Sequence, residues 1–158
     1  MKKLSFYIVI LTGMLPMFTS CTDDSSPNAI ANNTHPVIDA AASGNWKITY
    51  YFDTDTDETA HFTNYIFTFG AGNTITATNG TNTYSGTWSV ANDHNNSNDD
   101  SGNHSSNDID FNILFSSPAN FAELSDDWDI VSYSANKIEL IDVSGGNGGT
   151  DHLIFEKI

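Results

Sequence analysis

The 158-residue chain has a single cysteine, Cys21, and no arginine at all. One thiol cannot form an internal disulfide, so the folded part must be held by an apolar core. Cationic side chains are scarce: Lys and Arg together number 5 against 20 acidic residues, a formal charge of −15. Such a chain is repelled by nucleic-acid phosphates and by anionic head groups, so no nucleic-acid partner is expected. No Gly-x-Ser-x-Gly turn occurs, and the histidines (His35, His61, His94, His104, His152) lie mostly in polar stretches. Neither a serine triad nor a cysteine nucleophile can be assembled from this pattern. The adjacent pairs Asp99-Asp100 and Asp126-Asp127 read as solvated loop charges, not as a tuned acid and base. No enzyme is expected.

Long apolar runs are equally scarce beyond the first residues. Met1-Lys2-Lys3 precedes an apolar stretch from Leu4 to Phe18 that Thr12, Gly13 and Pro16 interrupt. A basic start followed by a short apolar segment is the pattern of a secretory signal and is poorly suited to span a bilayer. Met17-Phe18-Thr19-Ser20-Cys21 resembles the lipobox of bacterial lipoproteins, in which small residues precede an obligate cysteine. The resemblance implies a signal peptide over 1–20, lipidation of Cys21 and attachment to the outer membrane through that lipid. The competing reading is an ordinary signal peptide with an incidental cysteine. Beyond residue 20 only Lys47, Lys137 and Lys157 oppose the 20 acids, which makes the processed charge −17. Residues 21–43 are small, polar and proline-containing, as a tether is, with a short helical turn expected at Val37–Ala42. Asp23-Asp24 resembles the acidic signals that carry some Bacteroidetes lipoproteins to the cell surface, and equally fits a plain acidic tether.

From Trp46 onward the chain alternates apolar and polar residues in short runs bounded by Gly, Asn, Asp and Ser. Trp46, Ile48, Tyr50 and Phe52 fall on one face of the first run; Phe62–Phe69 forms the second, with Tyr65, Phe67 and Phe69 on one face. Ile75 and Ala77, then Tyr84, Gly86, Trp88 and Val90, then Ile109, Phe111, Ile113 and Phe115 continue the pattern. Trp128–Ser134, Lys137–Val143 and His152–Ile158 complete eight segments rich in β-branched and aromatic residues. Phe121, Leu124 and Trp128, spaced by three and four after Pro118, predict one helical turn near 119–127. Connectors are mostly short, which favours antiparallel neighbours, and Asn79-Gly80 marks a tight turn. The glycine-rich run 144–149 precedes a strand pattern and so reads as a hairpin loop, not a phosphate cradle. The expectation is an all-β, eight-stranded antiparallel up-and-down barrel over 44–158. A polar Asn/Asp/Ser-rich loop at 91–107 contains almost nothing that can be buried.

Gly44-Asn45-Trp46, Tyr84-Ser85-Gly86-Thr87-Trp88 and Leu153-Ile154-Phe155-Glu156-Lys157, in this order behind a lipobox, resemble the lipocalin-like lipoproteins common in Bacteroidetes. The resemblance spans residues 44–158 and implies a meandering barrel with its first Trp near a closed base. It implies no activity and transfers no functional residue.

Two kinds of site follow from the residues. Asp53, Asp55, Asp57 and Glu58 alternate in an oxygen-rich turn, and calcium takes six to eight oxygen ligands. The pattern is no EF-hand, because Glu58 stands where Gly is needed and Asn64 where a bidentate Glu is needed, and hairpin solubility explains it as well. His94 and His104 with Asp93, Asp99 and Asp100 form a second, looser set. The aromatic count points elsewhere. An eight-stranded barrel is either filled by its side chains or holds one small ligand. Tyr50, Phe52, Tyr65, Phe67, Tyr84 and Trp88 are the candidate lining of an apolar cup at an open end, its ligand small and apolar or amphipathic. The alternative is a solid-cored structural or interaction module that meets another envelope protein through its surface.

Overall fold

The structure, a computed structural model, describes residues 33–92, 109–143 and 149–158. Each alternating run becomes a strand: β1 (Asn45–Asp53), β2 (Thr56–Asp57), β3 (Ile66–Gly70), β4 (Thr74–Thr78), β5 (Thr83–Asn92), β6 (Ile109–Leu114), β7 (Asp126–Tyr133), β8 (Lys137–Val143) and β9 (Thr150–Lys157). Neighbours pair antiparallel in chain order, β2 only extends the tip of β1, and β1 pairs with β9 from Trp46↔Lys157 to Phe52↔His152. That last pairing closes an eight-stranded barrel and leaves no long free edge. The expected all-β up-and-down barrel is what forms.

The inward faces carry the core: Trp46, Ile48, Phe67, Phe69, Ile75, Ala77, Trp88, Phe111, Ile113, Trp128, Ile138, Leu140, Leu153 and Phe155 are all buried. Two short elements close the ends. Helix α1 (His35–Ala42) begins with Pro36 in its first turn and buries Val37 and Ala41, one turn apart on one face. It packs against β3 and β5, and Ala41 accepts a 2.8 Å hydrogen bond from the buried Trp46 indole at the start of β1. The turn expected at 37–42 is thus part of the folded domain. At the other end a 3-10 turn (Thr59–Phe62) and the single-turn helix α2 (Ala119–Ala122) bring Phe62 and Phe121 over the barrel.

Three expectations need correction. The register of β1 against β9 shifts between Ile48 and Tyr50, so Tyr51 opposes the inward Leu153 while Tyr50 opposes Ile154 and Phe52 opposes His152. A bulge adds one residue to the strand and reverses every face beyond it. Tyr51 is therefore the buried residue, and Tyr50 and Phe52 stay only half-buried. The second strand begins at Ile66; Phe62 is buried from the 3-10 turn instead. The helical turn ends at Ala122, and Trp128 reaches the core from β7, donating its indole N–H to the Leu124 carbonyl at 3.1 Å. The loop at 91–107 enters strand β5 at Ala91 and Asn92, and its remaining residues lie outside those described, as do Cys21, the lipobox and most of the glycine run.

Candidate functional site

A site on a barrel wall depends on what fills the interior. At the α2 end it is filled by rings. Phe121 is fully buried, with centroids 4.8 Å from Tyr84, 5.0 Å from Tyr65, and 5.3 Å from both Phe62 and Phe115. Most of these contacts are edge-on or tilted, the arrangement aromatic quadrupoles favour. Tyr51 adds a polar tie: its hydroxyl donates to the Glu123 carbonyl at 2.8 Å, fixing the residue after α2 to strand β1. Burial, together with the carboxylates of Asp53 and Asp151, holds that phenol well above the usual range, so it remains a donor.

Gly86 explains how closely β5 and the end of β6 approach each other at this end. A Cβ there would collide with the backbone carbonyl of Leu114 and touch the Phe115 ring. Only a residue without a side chain allows β6 to pass so close on its way to α2.

The α1 end is different. A groove of about 410 Å³ opens between Ile38 and Ala42 of α1, the β3–β4 turn (Gly70 to Asn73) and Trp88 to Val90 of β5. Trp88 lies at its floor, donating its indole N–H to the Gly70 carbonyl at 3.0 Å. A second groove of about 530 Å³ runs along the outer wall of β5, β6 and β7, past Thr87, Ser89, Asn112, Leu114 and Asp127. Leu114 is 56% exposed there.

The six aromatic candidates for a cup do not share one. Tyr50 and Phe52 stack on each other, 6.3 Å apart and 10° from parallel, on the outward side of β1. Phe67 is wholly buried in the middle of the barrel. Tyr65 and Tyr84 stack at 5.9 Å against the buried Phe121, and Trp88 stands at the opposite end.

Asp53, Asp55 and Asp57 do not converge either. Thr54, in the left-handed region at φ 52°, turns the chain into the β1–β2 pair, and the carboxylates are used locally. Asp57 accepts the Thr59 N–H at 3.0 Å and Asp55 the Thr56 hydroxyl at 2.9 Å. Among the described residues two other sets come together: Glu58 with His61 and Glu123, and Asp126 with Asp142 and Asp151. Asp151 also accepts the Thr54 N–H at 2.7 Å. Burial, reinforced by the neighbouring Asp127 and Asp142, pushes the Asp126 carboxyl up to about 6. His94, His104, Asp93, Asp99 and Asp100 lie outside the described residues. No helix among the described residues is long and apolar enough to cross a membrane.

No protein-family model matches the chain, and no curated protein matches it. Among solved structures, the chain is similar to the crystal structure of a DUF4847 family protein from Bacteroides vulgatus ATCC 8482. The two share 16% identity over 77% of this chain and 97% of that one, with a TM-score of 0.45.

Proposed function

We propose that this chain is an exported, outer-membrane lipoprotein anchored through Cys21, whose barrel acts without catalysis as a solid scaffold that presents its outer surface to another envelope component. One observation carries the choice of scaffold over carrier: Phe121 fills the end of the barrel where Tyr65 and Tyr84 would otherwise line a cup. The acidity of the chain favours a partner that offers basic side chains. The 530 Å³ groove between β5 and β7, with Asp126 and Asp127 at its margin, is the recess on the described surface best suited to receive them.

A small apolar ligand remains the second reading, moved to the other end. The 410 Å³ groove beside α1 is walled by Ile38, Ala42, Phe69, Trp88 and Val90, and of the six aromatic candidates it uses Trp88 alone. Native mass spectrometry of protein extracted from membranes separates the two. The scaffold reading expects the mass of the lipidated chain and nothing more, whereas a co-purifying small molecule that Trp88→Ala removes would establish the carrier. The anchor has its own check. The N-terminal peptide should begin at Cys21 and carry acyl chains, and Cys21→Ser should release the protein from the membrane fraction.

A further inference from the structure

Glu58, His61 and Glu123 meet where the two caps of the sealed end touch. Their ligand atoms (one carboxylate oxygen from each Glu and one imidazole nitrogen) all lie within 4.8 Å of one another. The local backbone explains the first pair. His61 N–H donates to the Glu58 carbonyl at 3.0 Å, and in a 3-10 turn side chains three residues apart eclipse, so both project on the same side. Glu123 comes from the end of α2, held in place through its carbonyl by Tyr51. Directly beneath, Phe62 and Phe121 pack at 5.3 Å, so neither cap can drift from the other without opening the core.

The arrangement leaves one group unsatisfied. Glu58 Oε2 is shielded from solvent and makes no hydrogen bond, although His61 Nδ1 lies 3.3 Å away, outside bonding geometry. Its carboxylate faces a second one, that of Glu123. Two carboxylates and an imidazole gathered at a shielded oxygen that makes no hydrogen bond are arranged as a cation would require.

We propose that Glu58, His61 and Glu123 bind one divalent zinc ion, which ties the 3-10 turn to α2 across the sealed end of the barrel. A mixed nitrogen and oxygen set of three protein ligands suits zinc, with water in the fourth position. Calcium, which takes six to eight oxygens, is poorly served by it. Ligand atoms around a tetrahedral zinc stand roughly 3–4 Å apart, so a small rotation of the exposed His61 and Glu123 side chains suffices. The inference is independent of the lipid anchor and of the scaffold reading.

Calorimetric titration of zinc chloride into the purified protein at pH 7.5 tests it, with calcium chloride as the comparison. The expected result is one zinc per chain, no saturable calcium binding, and a melting temperature that rises with zinc. His61→Ala and Glu123→Gln should each weaken zinc binding at least tenfold while their metal-free melts match the parent. Asp142→Asn, in the other acidic set, should leave zinc binding unchanged. Absence of saturable zinc binding overturns the proposal. So does binding that survives both His61→Ala and Glu123→Gln, or binding that disappears instead in the His94→Ala/His104→Ala double variant.

Discussion

The two ends of this barrel are closed by different means. The α2 end is sealed by inserting a ring: Phe121 enters among Phe62, Tyr65, Tyr84 and Phe115. The α1 end is covered by a helix that buries Val37 and Ala41 but leaves a groove along Ile38 and Ala42. An inserted aromatic fills volume, whereas a helix laid across a rim touches it along one stripe and leaves the flanks open. Among the described residues, the flank of α1 is where an apolar molecule can settle against Phe69, Trp88 and Val90 without displacing the core.

Truncating each cap measures that difference. Phe121→Ala should cost about 3–5 kcal/mol of unfolding free energy, the range for a fully buried Phe whose cavity cannot collapse. Ile38→Ala, half-buried at the edge of the groove, should cost about 1 kcal/mol, because much of its surface already meets water. Urea denaturation of both variants gives the comparison. Equal losses would mean that the α1 end is packed as tightly as the other, and the groove would lose its standing as the accessible end.

Gly86→Ala probes the same end through the backbone. The new methyl meets a main-chain carbonyl, that of Leu114, which cannot rotate away as a side chain could. A loss of about 1–3 kcal/mol is expected, with the Phe115 ring displaced from Phe121. Near-ultraviolet circular dichroism should report the disturbed ring cluster alongside the melt. A variant with unchanged stability and spectrum would show that β6 does not need the close approach.

Much of this architecture was legible in the sequence, because burial on one face writes itself as a period of two. The runs through Phe67, Ile75, Trp88, Phe111, Ile138 and Phe155 read correctly, since none of these strands carries an extra residue in its buried stretch; the two irregularities add their residue to β1, opposite β9, and to β7, opposite β8. The first strand read correctly only as far as Ile48. In Thr49-Tyr50-Tyr51-Phe52 three aromatics stand in a row, and alternation cannot say which of them points inward; the bulge against β9 decides. Alternation assigns Phe62 to the second strand because a buried residue in a 3-10 turn looks, in sequence, like the start of the next strand. The acidic turn makes a related point. Proximity along the chain suggested Asp53, Asp55 and Asp57, whereas convergence required Glu123 from a distant cap, and no local spacing encodes that. The signal available in sequence was the pair Glu58 and His61 at i and i+3, which points both side chains the same way once the turn is known to be helical.

The rim of the sealed end also carries a test in acid. Asp126 lies on the same face of β7 as Trp128, opposite Ile113, so its carboxylate is drawn toward the barrel end and crowded by Asp142 and Asp127. Its carboxyl is raised to about 6 from an ordinary 3.8, so the folded state binds this proton more tightly than the unfolded chain does. Linkage then fixes the sign: above pH 6 the charged Asp126 opposes folding, and the penalty is relieved as pH falls from about 6 towards 3.8. Asp57 and Glu139 act in the opposite sense, because hydrogen bonds from Thr59 and from Lys137 lower their carboxyls. Their contribution is lost only as pH falls below their ordinary values of 3.8 and 4.5, so pH 5 to 7.5 isolates Asp126 from Asp57 and Glu139. Asp126→Asn keeps the oxygen that accepts the Asp127 N–H and removes the charge. After allowance for solvent screening it should stabilise the protein by about 1 kcal/mol at pH 7.5 and by progressively less as pH approaches 4. Melting curves of parent and variant across that interval should converge at the acid end. A constant offset at every pH would mean that the substitution acts through packing, and destabilisation at pH 7.5 would mean that the Asp126 charge is held by a favourable partner at the rim.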